Sequence, residues 1–247
     1  MLVRTVSASL LLALTGCAPA SAPNGVEPVA GDAQAIIDGT QASNYPEAVL
    51  LEMLSKGQLK AACTGALLAP TVVLTAGHCV FGFDAWRVSA PYASGQRAWG
   101  KDGVTLDWDD PSEVVDPREH DVGLVFLDTP ILLPSYPTLA GAPLPRGGQV
   151  INVGRIDQGE LSTTDLFAGP PTPVRDAATF GFPYDYLADE IIQSGDSGGP
   201  VFAAGTHTIM AVNSGAGRGS EVLARVDLVR KWIEQQLLGL GATDDGD

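Results

Sequence analysis

A serine flanked by glycines is the residue of this chain best suited to nucleophilic chemistry. Ser197 lies in the segment Gly195–Pro200 (GDSGGP), where glycines let the backbone turn sharply and approach a substrate closely. A serine hydroxyl is a weak nucleophile unless a base removes its proton and a third group orients that base. His78 and Asp121, both upstream, are the candidates for these two roles. Such a set of side chains performs acyl transfer at a carbonyl carbon.

Three short motifs surround these residues. Thr75–Cys79 reads TAGHC, Asp121–Leu124 reads DVGL, and Gly195–Pro200 reads GDSGGP. In this order they resemble the hallmarks of the trypsin/chymotrypsin-like serine proteases. The resemblance begins at Ile36-Ile37-Asp38-Gly39, which looks like the mature N-terminus of that family, and extends to the region of Trp232.

The resemblance implies a role for each candidate. Ser197 would attack a peptide carbonyl, His78 would take and return its proton, and Asp121 would hold the imidazole tautomer. The backbone N–H groups of Gly195 and Ser197 would form the oxyanion hole. The expected partners are polypeptide substrates, and no cofactor or metal is needed.

Two further pairings follow from the resemblance. The new N-terminus at Ile36 would pair with the carboxylate of Asp196, and Cys63 would form a disulfide with Cys79. A different use of these cysteines is a metal site together with His78, although adjacent histidine and cysteine make awkward ligands and no fourth ligand is evident.

The same resemblance predicts a substrate pocket. Its expected residues are Ile191, Ile192, Asn213, Gly215 and Glu221. Ile191 stands where relatives specific for arginine or lysine carry aspartate, so we expect apolar or aromatic residues before the scissile bond. Glu221 is expected on the opposite wall, where it would support minor basic activity unless Arg218 neutralises it. The family's Ser-Trp-Gly segment is aligned here with residues 213–215, and Gln193 replaces a cysteine that often frames the pocket.

The residues are also compatible with three different functions. Gly195–Gly199 satisfies the G-x-S-x-G elbow of α/β-hydrolases, but that fold needs a helix after the serine and the order serine, acid, histidine. A non-catalytic binding module is the second candidate, and an esterase or acyltransferase on the same fold is the third. Labelling by a fluorophosphonate and a comparison of ester with peptide substrates would separate them from a protease.

Composition narrows the class of partner. The chain has 247 residues, 45% of them hydrophobic and 17% charged, as is typical of a globular protein. Its net charge of −15 repels phosphate backbones, so a nucleic acid is not expected to bind.

The N-terminal residues predict export. Residues 1–16 have the short cationic start and the apolar run of a signal peptide, and the apolar run is too short to span a bilayer. Leu14–Cys17 resembles the lipobox of bacterial lipoproteins, which makes Cys17 the lipidated membrane anchor in a cell envelope. Cleavage after Ala22 by an ordinary signal peptidase is the competing interpretation.

Residues 17–35 predict a tether or propeptide, because they are rich in alanine and proline and lack periodicity. Cleavage between Ala35 and Ile36 would create the mature start and cut the tether at once. Since the new ammonium group would pair with Asp196, activity is expected to require this cleavage.

Short runs of β-branched and apolar residues predict an all-β domain over residues 36–240. They form two sets, which together with the resemblance imply two tandem antiparallel six-stranded barrels at about 36–140 and 141–226. A 3.6-residue apolar period predicts a C-terminal helix over 227–239, followed by an acidic tail over 241–247.

Overall fold

The computed structural model of the chain describes residues 39–109 and 115–241, without the side chains of the last two. The signal peptide (1–16), lipidation of Cys17, the tether (17–35), Ile36 as the mature start, and the tail beyond residue 241 all lie outside these residues and stay predictions. No helix in the described ranges is long and apolar enough to cross a bilayer.

Six strands in the first half of the chain close into a barrel in the order β2-β3-β4-β7-β6-β5. A two-residue strand precedes them. The strands are β1 (Thr40–Gln41), β2 (Ala48–Ser55), β3 (Gln58–Ala69), β4 (Val72–Thr75), β5 (Ala85–Ala90), β6 (Gln96–Thr105) and β7 (Gly123–Leu127). All neighbouring pairs in the barrel are antiparallel.

Strand β2 of the barrel is apolar on both faces. Val49, Leu51 and Met53 pack in the barrel interior, whereas Ala48 and Leu50 belong to a second cluster. Side chains alternate between the two faces of a strand, so one strand serves two cores. The second cluster draws on both halves of the chain, with members such as Leu74, Leu124, Phe202, Ile209 and Val212. It therefore joins the two halves into one domain.

The second half forms a ten-stranded sheet whose main path runs β1-β12-β9-β16-β17-β18-β15-β14. A small hairpin of β10 and β11 stands beside it. The strands are β8 (Thr138–Leu139), β9 (Gln149–Gly154), β10 (Ile156–Asp157), β11 (Glu160–Leu161), β12 (Phe167–Ala168), β13 (Thr172–Pro173), β14 (Arg175–Asp176), β15 (Asp185–Asp189), β16 (Pro200–Ala203), β17 (Thr208–Gly217) and β18 (Ser220–Arg225).

One helix, α1 (Val226–Gly241), ends the described chain. Val229 and Ile233 are buried in the shared cluster one helical turn apart, while Leu228 is exposed. The helix begins one residue before its predicted start, so Asp227 lies in its first turn, where its carboxylate accepts hydrogen bonds from Arg225 at 3.0 and 2.8 Å.

The predicted all-β fold with two barrels and a C-terminal helix is confirmed. The second sheet differs in detail, because it contains several two-residue strands and one parallel pair, β8 with β17, in place of six antiparallel strands. Proline residues interrupt the second half of the chain, and a proline has no backbone N–H group to donate to a neighbouring strand. The apolar runs of the sequence do not predict β6 and β15.

Cys63 in β3 and Cys79 in the 3₁₀ turn Gly77–Cys79 form the predicted disulfide. The sulfur atoms and a ring nitrogen of His78 lie within 4.8 Å of one another. Both sulfurs are used by the disulfide, so a metal site at these residues has no thiolate ligand to offer.

The disulfide should contribute strongly to stability. A bond that closes a loop of this length, with a sequence separation of 16, restricts the unfolded chain and is worth about 3 kcal/mol. We expect the Cys63→Ala/Cys79→Ala variant to lose about that much free energy of unfolding in urea titrations. Reduction of the parent protein should cause the same loss, and an unchanged midpoint in both would contradict the prediction.

Candidate active site

His78 and Asp121 meet because the elements that carry them are neighbours. His78 lies in the turn after β4, and Asp121 lies just before β7, which pairs with β4. The Nδ1 atom of His78 is 2.8 Å from Oδ2 of Asp121, and the backbone N–H of His78 donates to Oδ1 at 2.9 Å. Both side chains are buried.

This geometry selects a tautomer. An ionised carboxylate only accepts hydrogen bonds, so Nδ1 of His78 carries the proton. The other ring nitrogen, Nε2, then holds the lone pair that can accept a proton. The buried Trp108 lies beside the imidazole, with ring centroids 5.9 Å apart.

Ser214 is a third member of this group, and no motif in the sequence gave it a role. Its Oγ donates to Oδ2 of Asp121 at 2.6 Å across 93 residues of sequence. Within the segment 213–215, Ser214 is therefore the residue that contacts the candidate triad, whereas Asn213 bonds the carbonyls of Val153 and Asp196. The register of β17 shifts between Asn213 and Gly215, and this bulge turns the Ser214 side chain towards Asp121.

The segment around Ser197 is held against the first barrel. Thr64 of β3 donates its N–H to the carbonyl of Ser197 at 2.8 Å and its hydroxyl to the carbonyl of Gly195 at 3.0 Å. Gly198 has a φ of +76°, and a Cβ there would lie 2.0 Å from Oγ1 of Thr75. Only glycine allows this close approach.

Asp196 anchors the same segment to the second sheet. Its Oδ1 accepts hydrogen bonds from the backbone N–H groups of Arg155 (2.7 Å) and Ile156 (2.9 Å), and its Oδ2 from that of Gln193 (2.9 Å). Burial raises the pKa of this carboxyl to about 6, against the lowering effect of these donors. The predicted partner of Asp196, Ile36, lies outside the described residues.

Ser197 and His78 open into one cleft of about 930 Å³. The N–H groups of Gly195 and Ser197 donate to no other atom within residues 39–109 and 115–241. These two donors are thus available for an anion at the position that the sequence predicts for the oxyanion hole.

The cleft has a different lining from the predicted pocket. Ile192 and Gly215 line it, but Ile191, Asn213 and Glu221 are buried beneath it. The other apolar side chains of the lining belong to Val115, Phe182, Leu187, Ala216 and Val222.

Side-chain alternation explains the position of Glu221. Its neighbours in β18, Ser220 and Val222, face the cleft, so Glu221 points to the opposite side. Its carboxylate accepts hydrogen bonds from Nδ2 of Asn152 at 2.9 Å and the N–H of Ile191 at 3.1 Å. Burial raises its pKa to about 7 despite these donors.

Of the remaining predicted residues, two lie beneath the cleft and one lines it. Ile191 packs in the core of the second sheet. Asn213 donates to the carbonyls of Val153 and Asp196, both at 3.1 Å. Arg218 lines the cleft and forms no ion pair with Glu221, which corrects the suggestion that it neutralises this acid.

The order of the motifs, the fold and this geometry agree with a family comparison. Residues 36–233 match the trypsin family. The chain belongs to the trypsin family. A comparison with curated proteins finds no match.

Solved structures are similar to this trypsin-family chain over about four-fifths of its length. HL collagenase is 17% identical, with a TM-score of 0.65 and coverage of 81% of this chain and 96% of that one. Neuropsin, a serine protease of mouse brain, is 18% identical, with a TM-score of 0.63 and coverage of 81% and 99%. An inactivated protease paralogue of the scabies mite is 19% identical, with a TM-score of 0.63 and coverage of 81% and 97%. At these identities the likeness shows the fold.

One buried acid near the site had no sequence signal. Asp185 at the start of β15 is 2% exposed, and its Oδ2 has no hydrogen-bond partner among the described residues. Burial raises its pKa to about 8, the charge of Asp121 adds to this effect, and Arg225 opposes it.

This acid should make stability depend on pH. Its folded pKa of about 8 lies above the ordinary value of 3.8, so folding favours the protonated form. Its contribution to stability is complete below pH 3.8 and is lost as the pH rises through 8. We expect Asp185→Asn to be more stable than the parent at about pH 9, with a smaller difference at about pH 5, in urea unfolding.

The exposed Asp176, which also lies near Arg225, provides the matched control. Asp176→Asn should show no such trend. A difference between Asp185→Asn and the parent that is constant with pH would contradict the assignment.

Proposed function

We propose that this chain is a serine endopeptidase that hydrolyses peptide bonds through an acyl-enzyme intermediate. The observation that carries the proposal is the hydrogen-bonded pair His78–Asp121, supported by Ser214, in the same cleft as Ser197. Its membership of the trypsin family supports the same activity.

In the proposed reaction the same three side chains act in both half-reactions, the formation and the hydrolysis of the acyl-enzyme. His78 accepts the proton of Ser197 at Nε2 while Oγ attacks the substrate carbonyl carbon, and it then gives that proton to the leaving amine. Water repeats the sequence to release the acid product. Asp121 stabilises the imidazolium that forms in each half, and Ser214 holds Asp121 in place.

The N–H groups of Gly195 and Ser197 would stabilise the negative charge that develops on the carbonyl oxygen. One such donor is worth about 2.7–4 kcal/mol in the transition state. Because the two donors are already available, no rearrangement of the segment is needed when substrate binds.

A fluorophosphonate probe tests the proposal. We expect the parent protein to be labelled at one serine, Ser197→Ala to lose labelling, and Ser89→Ala on the outer face of the first barrel to keep it. Intact-mass measurement detects the adduct. The fold also carries an inactivated paralogue, so a folded parent that is never labelled would favour a binding module. Labelling combined with cleavage of esters only would favour an esterase or acyltransferase.

The substrate preference follows from the cleft. Its apolar lining includes Ile192, Val115 and Phe182, and the charged side chains of the lining are Glu190 and Arg218. A lysine or arginine side chain buried against the apolar part of this lining, away from Glu190, would lose its water without compensation. We therefore propose cleavage after apolar and aromatic residues.

Peptide-library profiling checks this preference, with Glu221→Gln and Glu190→Gln as matched variants. Glu190 lines the cleft, whereas Glu221 holds the backbone of Ile191 from below. We expect Glu221→Gln to lower kcat/KM for all substrates in proportion and Glu190→Gln to change only the minor cleavage after basic residues. Cleavage after Arg or Lys alone would refute the preference. If Glu221→Gln lowered kcat/KM only for cleavage after basic residues, Glu221 would contact the substrate as part of the pocket wall.

We also propose that the protein is exported and anchored by lipid at Cys17. The Cys63–Cys79 disulfide supports export, because disulfides persist in oxidising compartments. Two acyl signals give stable anchoring, at about 0.8 kcal/mol per buried CH₂ group. Cleavage between Ala35 and Ile36 would release the protease domain from this anchor.

The anchor is tested by Cys17→Ser. We expect this variant to leave the membrane fraction or to remain unprocessed, with a mass that lacks the lipid. Unchanged fractionation and mass would exclude lipidation, and a mature chain that starts after Ala22 would favour the ordinary signal peptide.

A further inference from the structure

One wall of the cleft ends in a tight turn that carries an arginine. Strand β17 ends at Gly217 and β18 begins at Ser220, so only Arg218 and Gly219 connect them. Both connecting residues have positive φ angles, +59° and +79°, as in a type I′ hairpin turn. Because Gly217 pairs with Ser220, the ladder continues up to the turn and fixes its place at the cleft.

The turn is also held from the side by Glu190, which directly follows β15. The N–H of Gly219 donates to Oε2 of Glu190 at 2.7 Å, and the N–H of Glu190 donates to the carbonyl of Gly219 at 3.4 Å. Asparagine, aspartate and glycine are the residues that favour the left-handed conformation of Arg218. Two strands and two hydrogen bonds thus hold an arginine in a conformation that its own residue type does not favour.

Arg218 brings a positive charge to the cleft of Ser197 and His78. The residue is exposed and lines this cleft. Its guanidinium is charged at every pH at which a protein is folded, and it can bind a carboxylate with two parallel hydrogen bonds. The chain as a whole carries a net charge of −15, which repels acidic peptides. A carboxylate of a substrate is therefore the group that Arg218 would attract, against the field of the rest of the protein.

The residues between the triad and the turn leave room for an extended peptide. Ser214, which contacts Asp121, is followed along β17 by residues 215–217, a glycine, an alanine and a second glycine. All three line the cleft, and none has a side chain larger than a methyl group. Each strand residue advances by about 3.3 Å, so Arg218 lies about 13 Å along the strand from Ser214.

We propose that Arg218 is a specificity-determining residue that selects an acidic side chain at the third or fourth residue before the scissile bond. The apolar lining that takes the residue directly before the bond includes Val222, which pairs with Gly215. A peptide that runs from there along residues 215–217 reaches the turn two or three residues later. The part after the bond begins at His78, which protonates the leaving amine. This inference rests on the proposed protease function and names its substrate class more closely.

Peptide substrates test the preference in the mature protein. They carry phenylalanine directly before the scissile bond and glutamate, glutamine or lysine at one of the preceding positions. Glutamate and glutamine have nearly the same shape, so their comparison isolates the charge. We expect kcat/KM to be about threefold to fivefold higher for glutamate than for glutamine at the third or fourth position, a modest factor because both charges touch water. Equal values at both positions would overturn the inference.

Two variants at the turn remove or reverse the charge. Arg218→Asn and Arg218→Asp both introduce residues that favour a type I′ turn, so the hairpin is kept. We expect Arg218→Asn to cleave the glutamate and glutamine peptides with kcat/KM values within about 1.5-fold of each other. Arg218→Asp should favour lysine over glutamine at the same position. A preference for glutamate that survives Arg218→Asn would overturn the inference, and if that variant does not fold, failure of Arg218→Asp to reverse the preference would do so.

The matched control is Arg97→Asn, which removes an exposed arginine of the first barrel that does not line this cleft. It makes the same change in net charge and should keep the parent's preference for glutamate. Loss of the preference in Arg97→Asn as well would assign it to the overall charge and overturn the role of Arg218.

The ratio of kcat/KM values separates this role from structural damage and from the protease function itself. If Arg218→Asn lowered kcat/KM for both peptides by the same factor, Arg218 would support the fold only, and the inference would be overturned. Fluorophosphonate labelling and cleavage of the parent without a preference for glutamate would overturn the inference and leave the protease function intact. A folded parent that is neither labelled nor cleaves any peptide would overturn both.

Discussion

A carboxylate that is removed from water needs hydrogen-bond donors, and this requirement shapes the whole cleft. Asp121, Asp196 and Glu221 are all buried, and each takes at least one donor from the backbone of a loop. Asp121 holds the turn of His78, Asp196 holds the segment of Ser197, and Glu221 holds the chain at Ile191. The loops around the cleft are therefore positioned by buried acids, because strand ladders do not reach them.

The cost of this arrangement appears in the acids themselves. Asp196 and Glu221 have raised pKa values because burial outweighs their donors. Burial and the charge of Asp121 raise the pKa of Asp185, whose Oδ2 has no partner in the described part of the chain. Such groups resist ionisation, so the fold of the cleft and its charge state depend on each other. Opposite charges such as Arg155 and Arg225 reduce this cost from within the protein.

The cleft lies where the two halves of the molecule share an apolar core. One face of β2, β3, β4 and β7 packs in that shared cluster, and the loops at its edge carry His78 on one side and Ser197 on the other. Thr64 reaches across the boundary with two hydrogen bonds, and Arg155 reaches back with two. The hydrophobic contact between the two halves has no directional preference of its own. These hydrogen bonds therefore fix the position of the nucleophile relative to the base.

The sequence alone determined most of the longer strands, the closing helix and the three motif residues, because each depends on local signals. A short run of β-branched and apolar residues sets a strand, a period of 3.6 sets a helix, and a glycine-rich turn marks Ser197. The disulfide followed from the family resemblance. Only the tertiary structure decided which residues support these groups. Ser214 bonds Asp121 across 93 residues, and Arg155 reaches Leu51 across 104. The tertiary structure also decided that Glu221 faces away from the cleft. The face on which a strand residue lies depends on the register of the strand and, here, on a bulge in the neighbouring strand, and local sequence specifies neither.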